Sequence, residues 1–517
     1  MMRAPAFTSP LEASIYVEGL RARPAFFVAA LLLAHAAIWT FTSWIANPTP
    51  DPQLAIGLAL GREWQLGYVD APPLAPWILE IAYRTGGLAA AYALGPLSVA
   101  LAGWLVFAFA RRIAGDRHGA LAVFLMVGVH PVAFPIGAFD SDLVQMPLVA
   151  LAVLAWWHAV AEKSRVAWIA LGLTLGALAY VGAQGLFVLA TLVLLLAANP
   201  AVRSLVRTQE GAITVVLALF MFTLLLTPRL IWLQNHGFAG AVPSADLRLD
   251  DPSSAGAVAI AVAVAFGHIG LVLLIVLASR LKAPDRDIAP VFMRPPLERL
   301  GKGSAIALAL LPPLFALATA YFMDARLPIS AATPLLLYSG LLAVVLGANA
   351  LRVHRQRTVA VAGLTLLLLP PAMELATSFA SPWFGDTGRA TNWPARDASR
   401  FVTDVYRTRT SRQLEYVVGD ITTASSIALL SRDRPHVFID ADPARAPWAD
   451  QEKIEAAGAV VVWRIVGADA APPAALAANL PPLVAEAPLT LRWERPGRLD
   501  FVRFGWAIIP PKQSASQ

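Results

Sequence analysis

The sequence predicts a polytopic α-helical membrane protein with a small α/β domain at its C-terminus. Of the 517 residues, 57% are hydrophobic and 14% charged, and the mean hydropathy is +0.62, which is far more apolar than a soluble globular protein. Apolar segments long enough to cross about 30 Å of hydrocarbon follow one another as far as residue 376, and none follows after that. We therefore expect a membrane domain over 1–380 and a second domain over 381–517.

Eleven segments have the length and composition of transmembrane helices. They lie near 26–45, 88–110, 119–137, 143–161, 166–182, 184–198, 211–233, 257–279, 303–323, 329–349 and 358–376. The first is too long for the apolar part of a signal peptide, so we expect it to be retained, with the N-terminus in the cytoplasm. An odd number of spans then places the C-terminus outside.

Basic residues are distributed unequally between the two sets of loops. The expected cytoplasmic loops contain Arg111, Arg112, Arg117, Lys163, Arg165, Arg203, Arg207, Arg352, Arg355 and Arg357. The opposite loops contain few basic residues and many acids, which is the positive-inside asymmetry. It accounts for a sequence pI near 9.7 without nucleic acid as a partner. The absence of cysteine excludes disulfides and thiolate metal sites.

Short β-rich and helical pieces alternate in the C-terminal part of the chain. Strands are predicted at 414–420, 436–440, 459–465, 489–493 and 504–509, and helices at 395–408, 421–431 and 450–457. This alternation predicts a small α/β domain. Its basic residues are compatible with an extracytoplasmic location, because the positive-inside rule applies to short loops only.

The first outer loop, residues 46–84, is longer and more polar than a connection between helices requires. Sugar transfer from a phosphate leaving group needs a carboxylate to accept the acceptor's proton and a cation to stabilise the phosphate. Asp51 and Asp70 are the candidate catalytic acids. The candidate substrate-binding residues here are Arg62, Glu63 and Tyr68. Two alternatives are open, namely a solvated amphipathic helix over 53–66 and an N-cap role for Asp70.

A second acidic segment lies between two spans on the same side. Asp140 and Asp142 form a D-x-D pattern, which is a candidate metal or substrate site because acids at a membrane boundary are costly without partners. The alternative is that Asp142 caps a helix beginning at Leu143. Another D-x-D, at 440–442, is predicted to form a turn.

Further candidates close later spans at the outer face. Arg229, Trp232 and His236 are predicted to line a pocket for a phosphate and a sugar, or alternatively to anchor the helix at the interface. Arg326 is predicted to join the phosphate site or to pair locally with Asp324. The sequence contains no glycine-rich phosphate loop, H-E-x-x-H or G-x-S-x-G, so ATPase, zinc-protease and α/β-hydrolase functions have no support.

The string LGYVDAPPL at 66–74 resembles the Gly-Tyr-Tyr-Asp-His-Pro-Pro-Leu signature of the dolichyl-phosphate-mannose–protein mannosyltransferase-like family, within the GT-C superfamily. Segments 61–65, 139–147 and 228–236 resemble further parts of that family, and the layout matches over 20–380. The resemblance implies a GT-C fold with an extracytoplasmic domain. It also implies sugar transfer from a polyprenyl-phosphate donor by an inverting mechanism, with an acid of the first outer loop as base or metal ligand.

The sequence departs from the family pattern at two positions near these acids. Pro52 stands where the family commonly has a second acid, and Ala71 stands where it usually has a His or Lys that contacts the donor phosphate. A strict register would also place Gln53, rather than Asp51, at the position of the family's acid. Arg229 or Arg326 would then supply the missing positive charge.

These observations predict a hexosyl- or pentosyltransferase in the bacterial inner membrane. The expected partners are a polyprenyl-phosphate-linked sugar, membrane lipid, and an envelope glycolipid such as lipopolysaccharide, a glycan or a protein as acceptor. The cofactor is unknown, with a divalent metal ion as the candidate. Two alternatives are a flippase of lipid-linked sugars, which is expected to place polar residues at mid-membrane, and a non-catalytic envelope-assembly protein.

Overall fold

The computed structural model describes residues 22–127, 139–182, 184–237, 291–322, 335–347, 350–352, 356–384, 388–465 and 471–512. A helical part is followed by a C-terminal α/β domain, and the chain is a multi-pass membrane protein. The helices of the first part are α1 Pro24–Ala46, α2 Pro52–Gly61, α3 Leu74–Ala114, α4 Asp116–Val127, α5 Ser141–Val160, α6 Arg165–Leu178, α7 Gln184–Ala198, α8 Pro200–Val206, α9 Gln209–Asn235, α10 Arg299–Phe322, α11 Ser339–Leu346 and α12 Gln356–Phe384.

Six helices of the described chain are long and apolar enough to cross a membrane, namely α1, α3, α5, α9, α10 and α12. The predicted spans near 166–182 and 184–198 form α6 and α7, which are only 14 and 15 residues long. The span near 257–279 lies outside the described residues. Those near 119–137 and 329–349 are described only in part, by α4 and α11.

Helix α3 is broken at its Gly86–Gly87 pair. Gly87 has φ +63° and ψ −155°, a conformation that residues with a Cβ rarely adopt, and Gly86 is also non-helical. The predicted span 88–110 therefore begins directly after the break. Residues 74–85 form a separate helical segment that precedes the break.

The helical part is held together by close packing of apolar faces. Helix α3 packs against α1, α4 and α5, and α6 packs against α5 and α9. A Cβ on Gly172 of α6 would overlap the backbone carbonyl of Ala218 on α9, so this glycine allows the two helices to approach closely. Small residues at such crossings are typical of helix packing in membranes.

The C-terminal domain contains the five predicted strands. Its elements are α13 Ala395–Thr410, β3 Tyr416–Gly419, α14 Ile421–Leu430, β4 His436–Ile439, α15 Gln451–Ala457, β5 Ala459–Arg464, α16 Ala474–Ala478, β6 Leu489–Leu491 and β7 Val502–Ile509. The sheet order is β4-β3-β5-β7-β6, parallel among the first three strands and antiparallel for β5–β7 and β7–β6. Two further strands, β1 Val291–Met293 and β2 Ala350–Arg352, pair antiparallel in the helical part.

The C-terminal domain packs directly onto the first loop, which we define as residues 47–73 between α1 and α3. Helix α2 of this loop packs against α14. Leu60 and Tyr68 are 1% and 2% exposed and belong to the same apolar core as the sheet residues. The Thr49 amide and hydroxyl both donate to the Thr391 carbonyl, at 3.1 and 2.7 Å. The first loop is therefore part of the interface between the two domains.

Candidate functional site

Asp51 lies at the start of α2, where its carboxylate is the N-cap. The Gln53 amide donates to Asp51 Oδ1 at 2.8 Å, and Pro52 occupies the first helical position, where its missing N–H costs nothing. Burial raises the pKa of Asp51, the Gln53 amide and Arg389 act against this, and Glu374 adds to it. The predicted amphipathic helix over 53–66 is thus a shorter helix, Pro52–Gly61, with Asp51 at its start.

Asp140 lies at the start of α5 and close enough to Asp51 for their charges to interact. The Leu143 amide donates to Asp140 Oδ1 at 3.0 Å. Burial raises the pKa of Asp140 to about 6, backbone amides act against this, and the charge of Asp51 adds to it. The alternative that Asp142 caps a helix from Leu143 is wrong, because the helix begins at Ser141 with Asp140 as its N-cap.

A third acid and an arginine complete the charged surroundings of Asp51. Arg389 is ion-paired with Glu374 of α12, and its Nη1 also donates to Thr377 Oγ1 at 3.2 Å. Both charges act on the pKa of Asp51. The acids therefore gather where the starts of α2 and α5 lie near Glu374 of α12.

Asp51 also lines a cavity of 720 Å³ between the two domains. One wall is the start of α2, formed by Asp51, Pro52 and Gln53. The opposite wall belongs mainly to the C-terminal domain and contains Ala390, Asp420, Thr422, Asp440, Trp463, Arg464, Pro473 and Leu476. The volume is in the range of small-molecule sites, about 300–1,000 Å³.

Asp70 is held by an arginine of the C-terminal domain. Arg445 donates from Nε to Asp70 Oδ2 at 3.2 Å and from Nη2 to Asp70 Oδ1, while its Nη1 pairs with Asp440. Burial alone would lower the pKa of Arg445, but these carboxylates outweigh it and the pKa is raised. The N-cap alternative for Asp70 is wrong, because α3 begins at Leu74 after Pro73. A catalytic role for Asp70 stays a prediction.

The candidate binding residues next to Asp70 also contact the C-terminal domain. Glu63 Oε1 lies 2.6 Å from His436 Nδ1, and Arg62 Nη2 lies 3.4 Å from His436 Nε2. Tyr68 packs edge-on against Trp448, with ring centroids 6.2 Å apart. Its hydroxyl accepts from the Gln65 amide at 3.2 Å. These side chains hold the first loop against the domain.

A further ion pair joins the beginning of α3 to the same domain. Glu80 is 1% exposed and pairs with Arg434 at 3.0 Å and with Arg84 at 2.8 Å. We call the contacts Glu63–His436, Asp70–Arg445 and Glu80–Arg434 the interdomain ion pairs. They place three acids of the helical part opposite three basic residues of the C-terminal domain.

Arg229 and Trp232 on α9 are buried against the first loop. Arg229 is 3% exposed and Trp232 8%, and Arg229 Nη1 donates to the Leu66 carbonyl at 3.2 Å. A Cβ on Gly67 would overlap both Arg229 Nη1 and the Trp232 ring. His236 stacks on Trp232 with ring centroids 4.1 Å apart. The structure therefore packs the predicted α9 group, Arg229, Trp232 and His236, against the predicted first-loop motif. The α9 group does not line the cavity beside Asp51.

The predicted metal site and one predicted cation have no further structural support. Arg326 and Asp324 lie outside the described residues. In the part of the chain that the structure describes, no group of three or more His, Asp or Glu side chains is placed to hold a metal ion. Asp140 and Asp142 as metal ligands stay a prediction. The second D-x-D, at 440–442, forms the predicted turn, with Asp442 N–H donating to the Ile439 carbonyl at 2.9 Å.

The residues that the C-terminal domain contributes were not among the candidates predicted from the sequence. Arg434, His436 and Arg445 form the interdomain ion pairs, and Asp420 and Arg464 line the cavity. Asp420, Asp440 and Arg464 stand at the carboxyl ends of predicted strands, a position where ligand-binding residues gather in α/β sheets. That signal was available in the sequence and pointed to this edge.

The described fold is similar to that of solved structures of the membrane protein ArnT, which confirms the predicted fold class. Residues 70–232 match the sequence model of the family described as dolichyl-phosphate-mannose-protein mannosyltransferase. ArnT from Cupriavidus metallidurans, in a structure bound to undecaprenyl phosphate, is 16% identical with a TM-score of 0.58, over 94% of this chain and 99% of that one. The apo structure of ArnT from Cupriavidus metallidurans is 15% identical, with a TM-score of 0.52 and coverage of 95% and 99%. A comparison with curated protein sequences returns no match.

Proposed function

We propose that this protein is a membrane glycosyltransferase that moves a sugar from a polyprenyl-phosphate donor to an envelope acceptor. The observation that carries the proposal is Asp51, a carboxylate with a raised pKa that faces a cavity at the end of the helical part. The fold and the undecaprenyl phosphate bound to one structural relative support the class of donor. A panel of polyprenyl-phosphate hexoses and pentoses determines which sugar the protein transfers.

Asp51 is the proposed general base. Sugar transfer to a hydroxyl needs a group that accepts the hydroxyl proton as the new bond forms. Burial raises the pKa of Asp51, and a carboxylate with a raised pKa is a stronger base than an ordinary aspartate. Asp140, with a pKa of about 6, is the proposed electrostatic partner of Asp51, because the charge of Asp51 is one of the causes that raise the pKa of Asp140.

We further propose that the reaction takes place on the outer face of a bacterial inner membrane, with the N-terminus in the cytoplasm. The unequal distribution of basic residues between the loops supports this orientation. The acceptor is an envelope glycolipid, glycan or protein.

The test is release of polyprenyl phosphate by the purified full-length protein in lipid, with a panel of polyprenyl-phosphate sugars. Wild type is expected to release polyprenyl phosphate from one donor, and Asp51→Asn to lower the rate at least about 100-fold. Asp450→Asn is the matched control, because Asp450 is also an N-cap aspartate but lies at the start of α15, outside the cavity lining.

Two outcomes would overturn the proposal. Donor binding without release from any donor would favour the flippase or the non-catalytic assembly protein. A rate in Asp51→Asn equal to that of wild type would remove Asp51 as the base. Transport of a lipid-linked sugar across sealed vesicles, measured with the same donors, separates the flippase from the assembly protein.

A further inference from the structure

The cavity beside Asp51 lies at the carboxyl ends of the parallel strands of the C-terminal domain. Asp420 follows β3, Asp440 follows β4, and Arg464 ends β5. In the strand order β4-β3-β5, the chain passes from β3 to β4 on one side of β3 and then to β5 on the other side. In open α/β sheets, ligands bind outside the carboxyl ends of the strands at such a reversal of strand order.

Carboxylates dominate the polar lining of this cavity. Asp51, Asp420 and Asp440 contribute acids, and Arg464 is the single basic residue among the described residues of the lining. The Arg464 Nε already donates to Thr423 Oγ1 at 3.3 Å. Burial raises the pKa of Asp440, and Arg445 acts against this. Asp440 is already paired with Arg445, so Asp51 and Asp420 are the carboxylates left to accept from a ligand. The lining therefore suits hydroxyl and ammonium donors better than a phosphate group.

The carboxylates are fixed in place by the elements that they begin or end. Asp420 Oδ1 accepts from the Thr423 amide at 2.9 Å as the N-cap of α14, as Asp51 does for α2. Trp463, 2% exposed, Pro473 and Leu476 form an apolar surface in the same cavity. An apolar surface beside fixed acceptors suits a compact ligand that has both C–H faces and hydroxyl donors.

We infer that this cavity is the acceptor site, and that it binds an uncharged or amine-bearing sugar through its hydroxyl and ammonium groups. The inference rests on the proposed function, since it assigns the cavity to the acceptor rather than to the anionic donor. A bound hydroxyl would lie beside Asp51, which accepts its proton. The C–O bond then forms to the donor's anomeric carbon as the bond from that carbon to the phosphate breaks, and polyprenyl phosphate leaves.

Binding is tested by saturation-transfer NMR with the full chain in detergent. The probes are methyl glucoside, glucosamine and glucose 6-phosphate. Wild type is expected to bind the first two and to bind glucose 6-phosphate at least about tenfold more weakly, because one unfavourable charge contact is worth more than about 1.4 kcal/mol. Preferred binding of glucose 6-phosphate, or no binding of the other two probes, would overturn the inference.

Three variants localise the binding. Thr422→Trp fills the cavity from the partly exposed first turn of α14, and Asp420→Asn keeps an N-cap acceptor while removing the charge. Both are expected to weaken glucosamine binding about tenfold. For Asp420→Asn this is the loss typical of a hydrogen bond to a charged group, and for Thr422→Trp it follows from the lost space. Asp450→Asn, a matched N-cap variant outside the cavity lining, is expected to bind as wild type does. Unchanged binding in Thr422→Trp would place the sugars elsewhere.

Turnover separates this inference from the proposed function. With a donor that supports release, Thr422→Trp and Asp420→Asn are expected to raise the acceptor KM about tenfold and leave the donor KM near its wild-type value. A raised donor KM with an unchanged acceptor KM would assign the cavity to the donor and overturn the inference alone. If no donor is turned over, the proposed function fails, and the binding experiments still decide whether the cavity holds a sugar.

Discussion

The two ends of the first loop place their acids in opposite surroundings. Asp51, at the beginning, faces a cavity, and its charge interacts with that of Asp140. Asp70, at the end, is enclosed by two donors of Arg445, and its side chain is only 12% exposed. A carboxylate that must receive a proton has to be reachable by the group that gives it, whereas one enclosed in a bidentate ion pair is not.

The end of the loop that carries the recognisable motif is also closely packed against both domains. Gly67, Tyr68 and Asp70 of that motif contact Arg229, Trp448 and Arg445 respectively. Such contacts constrain a sequence as strongly as chemistry does. A motif therefore identifies the fold, and the surroundings of each side chain decide which of its acids is free to react.

The largest expected effect separates the two acids by activity. Asp51→Asn is expected to lower kcat at least about 100-fold without lowering thermal stability, since Asn retains the N-cap acceptor. Asp70→Asn is expected to keep kcat within about tenfold and to lower the thermal unfolding midpoint, because Arg445 loses a charged partner. Both quantities are measured on the same preparations. The reverse pattern would make Asp70 the base and remove the distinction between the two ends.

The next effect concerns the stability of the interface. Because Asp70 and Arg445 are only 12% and 26% exposed, Arg445→Met is expected to lower the free energy of unfolding by about 2–4 kcal/mol. A double-mutant cycle with Asp70→Asn, read from denaturant unfolding in detergent, isolates the pair itself.

The matched control is the Asp404–Arg432 pair on the surface of the C-terminal domain. These side chains are 63% and 58% exposed, so their coupling is expected to stay below about 0.5 kcal/mol. Equal coupling in the two pairs would show that the interdomain contact adds no more than a surface ion pair.

A smaller effect concerns Asp140, whose pKa of about 6 lies above the ordinary value of 3.8. The folded protein holds this proton more tightly than the unfolded chain, so stability is lost as pH rises from about 4 to about 6 and stays lost above that. The cost at pH 7 is up to about 3 kcal/mol. Asp140→Asn keeps an N-cap acceptor and is expected to raise the unfolding midpoint at pH 7 but not at pH 4.

Asp450→Asn is again the control for this charge effect. The pKa of Asp450 is lowered, first by the Lys453 amide, so its ionised form favours folding and removing it is expected to give no gain at pH 7. A gain in both variants would point to a general effect of replacing N-cap aspartates. Equal midpoints for Asp140→Asn and wild type at every pH would show that the buried Asp140 carboxylate does not destabilise the folded protein when it is ionised.

Much of the fold was predictable because it follows from local patterns. Apolar segments of membrane length predict helices, and alternation of apolar residues predicts the strands of the C-terminal domain. The Asp140 candidate followed from the cost of an unpaired acid at a membrane boundary, and the Asp51 candidate from the unusual length and polarity of the first outer loop.

The partners of the candidate residues were not predictable in this way. His436 contacts Glu63 across 373 positions, and Arg445 contacts Asp70 across 375. No periodicity or spacing encodes a contact between two domains, and each arginine alone looks like a solvated charge. The cavity depends on the same docking, because its two walls come from the two domains.

The smallest predicted effect tests whether close packing fixes the end of the loop that carries the motif. Gly67→Ala places a methyl group where Arg229 Nη1 and the Trp232 ring now lie, so it is expected to lower the free energy of unfolding by about 1–3 kcal/mol. Gly303→Ala on α10 meets no atom within 4 Å and is expected to be neutral or stabilising by up to about 1 kcal/mol. Denaturant unfolding of the two variants gives both values. A Gly67→Ala variant as stable as wild type would show that α9 yields to the loop, and Arg229 would then be mobile enough to contact a substrate phosphate.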